Sequence, residues 1–182
     1  MSAVDLSRRR FLTHTTCGVI CSAVLPQVAF AAQPGREKII RLNNLHTGET
    51  LEACYFDGRH YIESELLKIN YLCRDFRRNE THPIDRQLLT QLQAIQNRLG
   101  VKSEVQIISG YRSPATNEML RSQSDGVAKK SFHMQGKAID FRLSGVRLSQ
   151  VRKAALSLHS GGVGYYPESN FIHIDTGPIR HW

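Results

Sequence analysis

The sequence predicts an α+β fold, a small antiparallel β-sheet flanked by helices, on three observations. Several short runs, such as Val105-Gln106-Ile107-Ile108 and Phe171-Ile172-His173-Ile174-Asp175, are β-branched and alternate in strand fashion. Other stretches repeat apolar residues at steps of three and four, the stripe of an amphipathic helix. The two kinds are mixed along the chain without the regular strand–helix–strand alternation of a parallel sheet. With 182 residues, the chain has the length of one domain with one core.

Residues 1–31 read as an export segment and are set apart from the fold. Ser7-Arg8-Arg9-Arg10-Phe11-Leu12 resembles the twin-arginine signature, a mildly apolar run follows from Cys17 to Val28, and Ala29-Phe30-Ala31 supplies small residues for cleavage. That run is too short for a spanning helix, so no stable membrane anchor is expected. The expectation is a periplasmic protein handled by the export machinery for folded proteins, with residues 32–182 as its folded domain. Cys54 and Cys73 are left in that domain. They are expected to be buried free thiols, because this route carries proteins already folded in a reducing compartment.

In the domain, Lys38 to Leu45 and Thr50 to Phe56 are expected as strands joined across His46-Thr47-Gly48-Glu49, with Asp57-Gly58 as the next turn. Ile62, Leu66, Ile69, Cys73 and Phe76 form a helical stripe ending near Arg78. Leu88, Leu92, Ile95 and Leu99 form a second one, which Gly100 is placed to stop. The strand at Val105 runs through Ser109-Gly110-Tyr111-Arg112 into a helix from Pro114. A polar loop, Ser122 to Lys130, precedes a turn at Gly136 and a strand over Lys137 to Phe141. A last helix spans roughly Leu148 to Leu158, and Gly161 to Pro167 turns the chain back toward the His173 strand.

Lys130 to Phe141, KSFHMQGKAIDF, places His133 seven residues before Asp140. Alternation along the last strand puts His173 and Asp175 on one face and Ile172 and Ile174 on the other. Two imidazoles and one carboxylate, with a fourth position left to water, are the ligand set of a catalytic zinc. On spacing alone, surface or satisfied core histidines remain an equal alternative. His46, His60, His82, His159 and His181 show no partner spacing.

The ordered set Ser131-x-His133-x-x-Gly136-x-Ala138-x-Asp140 followed by His173-x-Asp175 resembles the core motif of the zinc D-Ala-D-Ala metallopeptidases of the LAS group, which act on peptidoglycan stem peptides. LNNLHTGE, ISGYRS, GVAKKSFH, GGVGYY and FIHIDTGP extend the likeness over nearly the whole domain. The resemblance implies a LAS- and hedgehog-like fold and one Zn²⁺ held by His133, Asp140 and His173 on the central strands. It implies a role for Arg112 beside the substrate carbonyl or carboxylate. Some relatives carry a carboxylate three residues before the last ligand histidine. Here Asn170 stands there, with Glu168 two residues further back. Asp175 is then either the general base or the orienting partner of a ligand histidine. Ser131 is expected to fix the loop before His133. Tyr111, Tyr165, Tyr166 and Trp182 are candidates for lining a substrate cleft.

The activity so implied is hydrolysis of peptidoglycan cross-links, at D-Ala–diaminopimelate bonds, diaminopimelate–diaminopimelate bonds or both. The alternatives are trimming of terminal D-alanine and a non-catalytic zinc-containing wall-binding protein. The net charge of +8 also suits nucleic acid, but no nucleic-acid-binding pattern accompanies it and the basic residues are spread out, so none is expected as a partner. Oligomeric state is not legible in the sequence.

Overall fold

The computed structural model describes residues 35–124 and 126–182. The export segment assigned to residues 1–31 lies outside them. Among the described residues, no helix is long and apolar enough to cross a membrane.

In chain order the elements are strands β1 (Lys38–Asn44) and β2 (Thr50–Phe56), helices α1 (Glu63–Leu72) and α2 (Arg86–Leu99), and strand β3 (Val105–Ser109). Helix α3 (Pro114–Gln123), a 3₁₀ turn at Phe132–Gln135, strand β4 (Ala138–Leu143) and helix α4 (Leu148–Leu156) follow. Strands β5 (Gly162–Tyr166), β6 (Phe171–Asp175) and β7 (Arg180–His181) complete the domain. The strands form one sheet in the order β2-β1-β3-β4-β6-β5-β7. The α+β class stands, with a larger sheet than expected and a mixed one: β1 runs parallel to β3, and β5 parallel to β7. The other four pairings are antiparallel.

The sheet separates two chemistries by alternation. Along β4, Ile139, Phe141 and Leu143 are buried together with Ile172 and Ile174 of β6 and with Leu88, Leu92 and Ile95 of α2 and Val151 and Ala155 of α4. Asp140 and His173 alternate with those apolar residues and so project from the opposite face. The antiparallel register sets Asp140 directly across from His173, so their side chains are cross-strand neighbours.

Helix α2 stops at Gly100, as expected. Asp85 caps its first turn by accepting from the Gln87 N–H, and Gly100 ends it at φ 67°. Helix α1 stops at Leu72, short of the Arg78 that the apolar stripe suggested. Tertiary contacts take over there: the Cys73 carbonyl accepts from the Tyr111 N–H, and the buried Asp75 carboxylate accepts from both the N–H and the hydroxyl of Ser113. Cys73 and Phe76 therefore lie beyond the helix. Cys54 and Cys73 are both free thiols, and burial pushes the Cys73 thiol up to about 12. Gly162 to Tyr166, read as part of a turn, is a strand instead, because its backbone pairs with β6 on one side and β7 on the other.

Candidate metal centre

His133 sits in the 3₁₀ turn that ends at Gly136. Ser131 caps this turn, its hydroxyl accepting from the His133 N–H at 3.3 Å. Gly136 closes it at φ 64°, where a side chain would be strained and a Cβ would come within 2.1 Å of the Pro83 carbonyl oxygen. The Gly136 carbonyl in turn accepts from the Asp85 N–H, so the start of α2 holds the turn in place. Gly136→Ala is expected to cost at least about 1–2 kcal/mol from the left-handed backbone alone. A drop in melting temperature together with weakened metal binding would show this, since the same turn aims His133 and leads into Asp140.

The His133, Asp140 and His173 side chains converge. His133 Nε2 lies 3.3 Å from His173 Nδ1 and 3.3 Å from Asp140 Oδ2, and His173 Nδ1 lies 2.8 Å from Asp140 Oδ1. Tetrahedral ligands about 2.0–2.1 Å from a shared ion stand about 3.3 Å from one another. The two longer separations match that spacing. All three residues are buried.

The second nitrogen of each imidazole is engaged. His133 Nδ1 is 2.7 Å from the Gly110 carbonyl oxygen. A carbonyl only accepts, so Nδ1 carries the hydrogen and Nε2 presents its lone pair to the centre. His173 Nε2 lies 3.0 Å from Asp175 Oδ2, which leaves Nδ1 facing Asp140 and His133. A divalent ion fits this donor set, and the outer partners of both histidines are in place.

Asp175 is fully buried. Besides His173 it accepts from the N–H groups of Gly162 at 3.0 Å and Gly177 at 2.8 Å, and from the Arg180 guanidinium through both oxygens, at 3.1 and 2.6 Å. Burial works to raise its pKa, but the bonds from His173 and Arg180 outweigh this and hold the carboxyl below the usual carboxylate range. Asp140 is likewise held low: burial opposes, and the two histidines outweigh it. For His173 burial disfavours the cation, yet its bonds to Asp140 and Asp175 raise its pKa to about 9 in the ion-free protein.

A cleft of about 280 Å³ opens over the centre. Arg112 reaches it, with its guanidinium near Asn117 Oδ1 at 3.3 Å and Ser109 Oγ at 3.5 Å. Lys130, Arg180, Tyr166 and Trp182 also line it. Tyr111 and Tyr165 do not. Tyr111 stacks on His82 with ring centroids 4.7 Å apart, and Tyr165 packs against the core under the Arg152 guanidinium. Glu168 and Asn170 are exposed and outside the lining. Asp140 is the one carboxylate among the described lining residues. Arg180 carried no sequence signal beyond standing five residues after Asp175 across a Gly-Pro turn, and that spacing has no chemical meaning until the fold bends it back.

Comparison with known proteins gives the same assignment throughout. A family model described as peptidoglycan L,D-endopeptidase MepK matches residues 32–182. The peptidoglycan L,D-endopeptidase MepK of Escherichia coli K12 is 53% identical over 183 residues, covering all of both chains. The protein of the same name from Shigella flexneri matches equally. A probable peptidoglycan L,D-endopeptidase MepK from Haemophilus influenzae is 43% identical, over all of this chain and 98% of that one. With its buried His-Asp-His centre and a family model spanning the whole domain, the chain belongs to the peptidoglycan L,D-endopeptidase MepK family of M15 peptidases.

Proposed function

We propose that the protein is a zinc-dependent murein endopeptidase, exported by the twin-arginine route, that cuts peptide cross-links of peptidoglycan in the periplasm during wall growth or remodelling. The observation that carries the reading is the buried triangle of His133 Nε2, His173 Nδ1 and the Asp140 carboxylate, with the far nitrogen of each imidazole already satisfied. Zinc is the ion because two imidazoles and a carboxylate suit a borderline-soft cation that tolerates a tetrahedral site with one open position. When bound, it supplies Lewis acidity at the scissile carbonyl and lowers the pKa of water at its open position toward 7.

The chain's own groups divide the remaining work. Arg112, in a cleft wall, donates hydrogen bonds to the carbonyl oxygen as charge develops on it, or to a neighbouring carboxylate of the stem. Asp175 orients His173, because its oxygens are committed to four partners and its pKa is held low, both poor properties for a group that must take up a proton at neutral pH. Tyr166 presents its ring to the stem peptide.

The relatives' name specifies an L,D bond, which favours the bond between two diaminopimelate residues as the substrate here. Purified protein incubated with sacculi, with and without a chelator, should release muropeptides that have lost that cross-link, as resolved by chromatography and mass spectrometry. Release of free D-alanine alone would make it a carboxypeptidase. Binding to sacculi with no soluble product would make it a wall-binding protein.

Metal binding should also be read through protons. The ion must replace the proton on His173 Nδ1, and with a pKa of about 9 that proton is present at pH 7.5. Binding is expected to release about one proton at that pH and to weaken by up to about tenfold per pH unit below 9. Calorimetric titration in buffers of different ionisation enthalpy measures the release. In the ion-free protein the sign is opposite. A raised histidine pKa contributes stability that is complete below the unfolded value of 6.5 and is lost as the pH rises through about 9.

A further inference from the structure

Trp182 is 47% exposed, yet it is fastened on several sides. Its N–H donates to the Val163 carbonyl and its own carbonyl accepts from the Tyr165 N–H, extending the pairing of β7 with β5. The indole N–H donates to the Tyr166 hydroxyl at 2.7 Å, and the Arg180 guanidinium lies 5.1 Å from the ring. Beneath the indole is Gly164, where a Cβ would come within 2.8 Å of the ring. Gly164 pairs across the sheet with His173, and the Trp182 ring centre stands 5.4 Å from the His173 ring. Tyr166 stacks on Phe171 with centroids 4.6 Å apart. An aromatic wall therefore runs along the cleft and ends beside a ligand histidine.

A half-exposed indole held this firmly leaves apolar surface in water, so its placement is not explained by core formation. We propose that Trp182 is a specificity-determining residue whose indole takes the unbranched alkyl part of the stem side chain next to the cleaved bond. This rests on the reading of the chain as a cross-link endopeptidase. An extended peptide covers about 3.3–3.6 Å per residue, so a wall 5.4 Å from His173 meets the residues flanking the cleaved bond. The glycan, attached at the far end of the stem, lies beyond its reach. The flanking diaminopimelate has a methylene run that suits a flat apolar ring, and the carboxylate at its far end suits a cleft also lined by Arg112 and Lys130.

Two synthetic cross-linked peptides test this, with diaminopimelate or alanine as the residue supplying the scissile carbonyl. Wild type should favour diaminopimelate in kcat/KM. Trp182→Ala should shrink that preference on the order of tenfold, chiefly through KM, with bound metal unchanged, and Trp182→Phe should restore most of it. Gly164→Ala, which forces the indole off its seat while leaving it in the chain, should also shrink the preference. An unchanged preference in both Trp182→Ala and Gly164→Ala overturns the inference, and so does loss of metal from both, since Trp182 would then serve the fold. A wild type that cleaves neither peptide instead overturns the functional reading beneath it.

Discussion

Replacing His133 with alanine is expected to abolish metal binding and cleavage together. Only Asp140 and His173 would then face the centre, and two protein ligands do not hold a divalent ion against water where the proposed set has three. The loss is at least the about 10–100-fold in affinity that removing even an outer partner costs. Cleavage falls with it: Lewis-acid stabilisation is worth several kcal/mol, and each 1.36 kcal/mol is a factor of ten, so a rate reduction of about 10³-fold or more is expected. The fold should survive in weakened form. The buried Gly110 carbonyl loses its donor at 2.7 Å, a cost of about 1–3 kcal/mol. Metal stoichiometry by elemental analysis, circular dichroism and muropeptide release on the same preparation check the three expectations. A folded variant that retains one metal per chain and still cleaves would remove His133 from the ligand set.

How much of this centre was legible in the sequence depends on the range of the interaction that makes it. His173 and Asp175 share a face because a strand alternates with period two, a local rule that needs no tertiary knowledge. The capping of α2 by Asp85 and its stop at Gly100 are local in the same sense. The approach of Asp140 to His173 depends on a register between β4 and β6 that no local pattern encodes, so spacing and alternation leave it even with the bland alternative and family likeness decides it. The cage around Asp175 was not legible at all. Gly162, Gly177 and Arg180 converge on it only after β5, β6 and β7 have paired. Helix α1 shows the reverse error, a local pattern overruled by distant partners: the stripe through Cys73 and Phe76 is real, but Tyr111 and Ser113 capture the backbone and Asp75 before the helix can continue. Aromatic residues were legible only in part, since Tyr111, Tyr165 and Tyr166 look alike in sequence and, of these three, only Tyr166 lines the cleft, together with Trp182.

Asp175→Asn is expected to weaken metal binding about 10–100-fold, and the way activity responds to added metal separates the two roles open to this residue. Every group facing the Asp175 oxygens is a donor: the Gly162 and Gly177 N–H groups, the Arg180 guanidinium and His173 Nε2. An amide brings its own N–H₂ to one of those positions. If it faces the glycines and Arg180, buried donors oppose one another, at a stability cost of about 1–3 kcal/mol. If it faces His173, it favours the tautomer that accepts at Nε2 and carries its proton on Nδ1, the nitrogen that must bind the ion. Either arrangement acts on the ligand and not on the chemical step. In the orienting role, therefore, cleavage by Asp175→Asn should recover toward the wild-type rate as zinc is raised to saturate the site. A general base lost from the reaction would leave kcat depressed about 10²–10⁴-fold at full metal occupancy. Cleavage measured against free zinc, with occupancy followed in parallel, discriminates the two. A fully loaded variant that stays slow would return proton transfer to Asp175 despite its burial and its four partners.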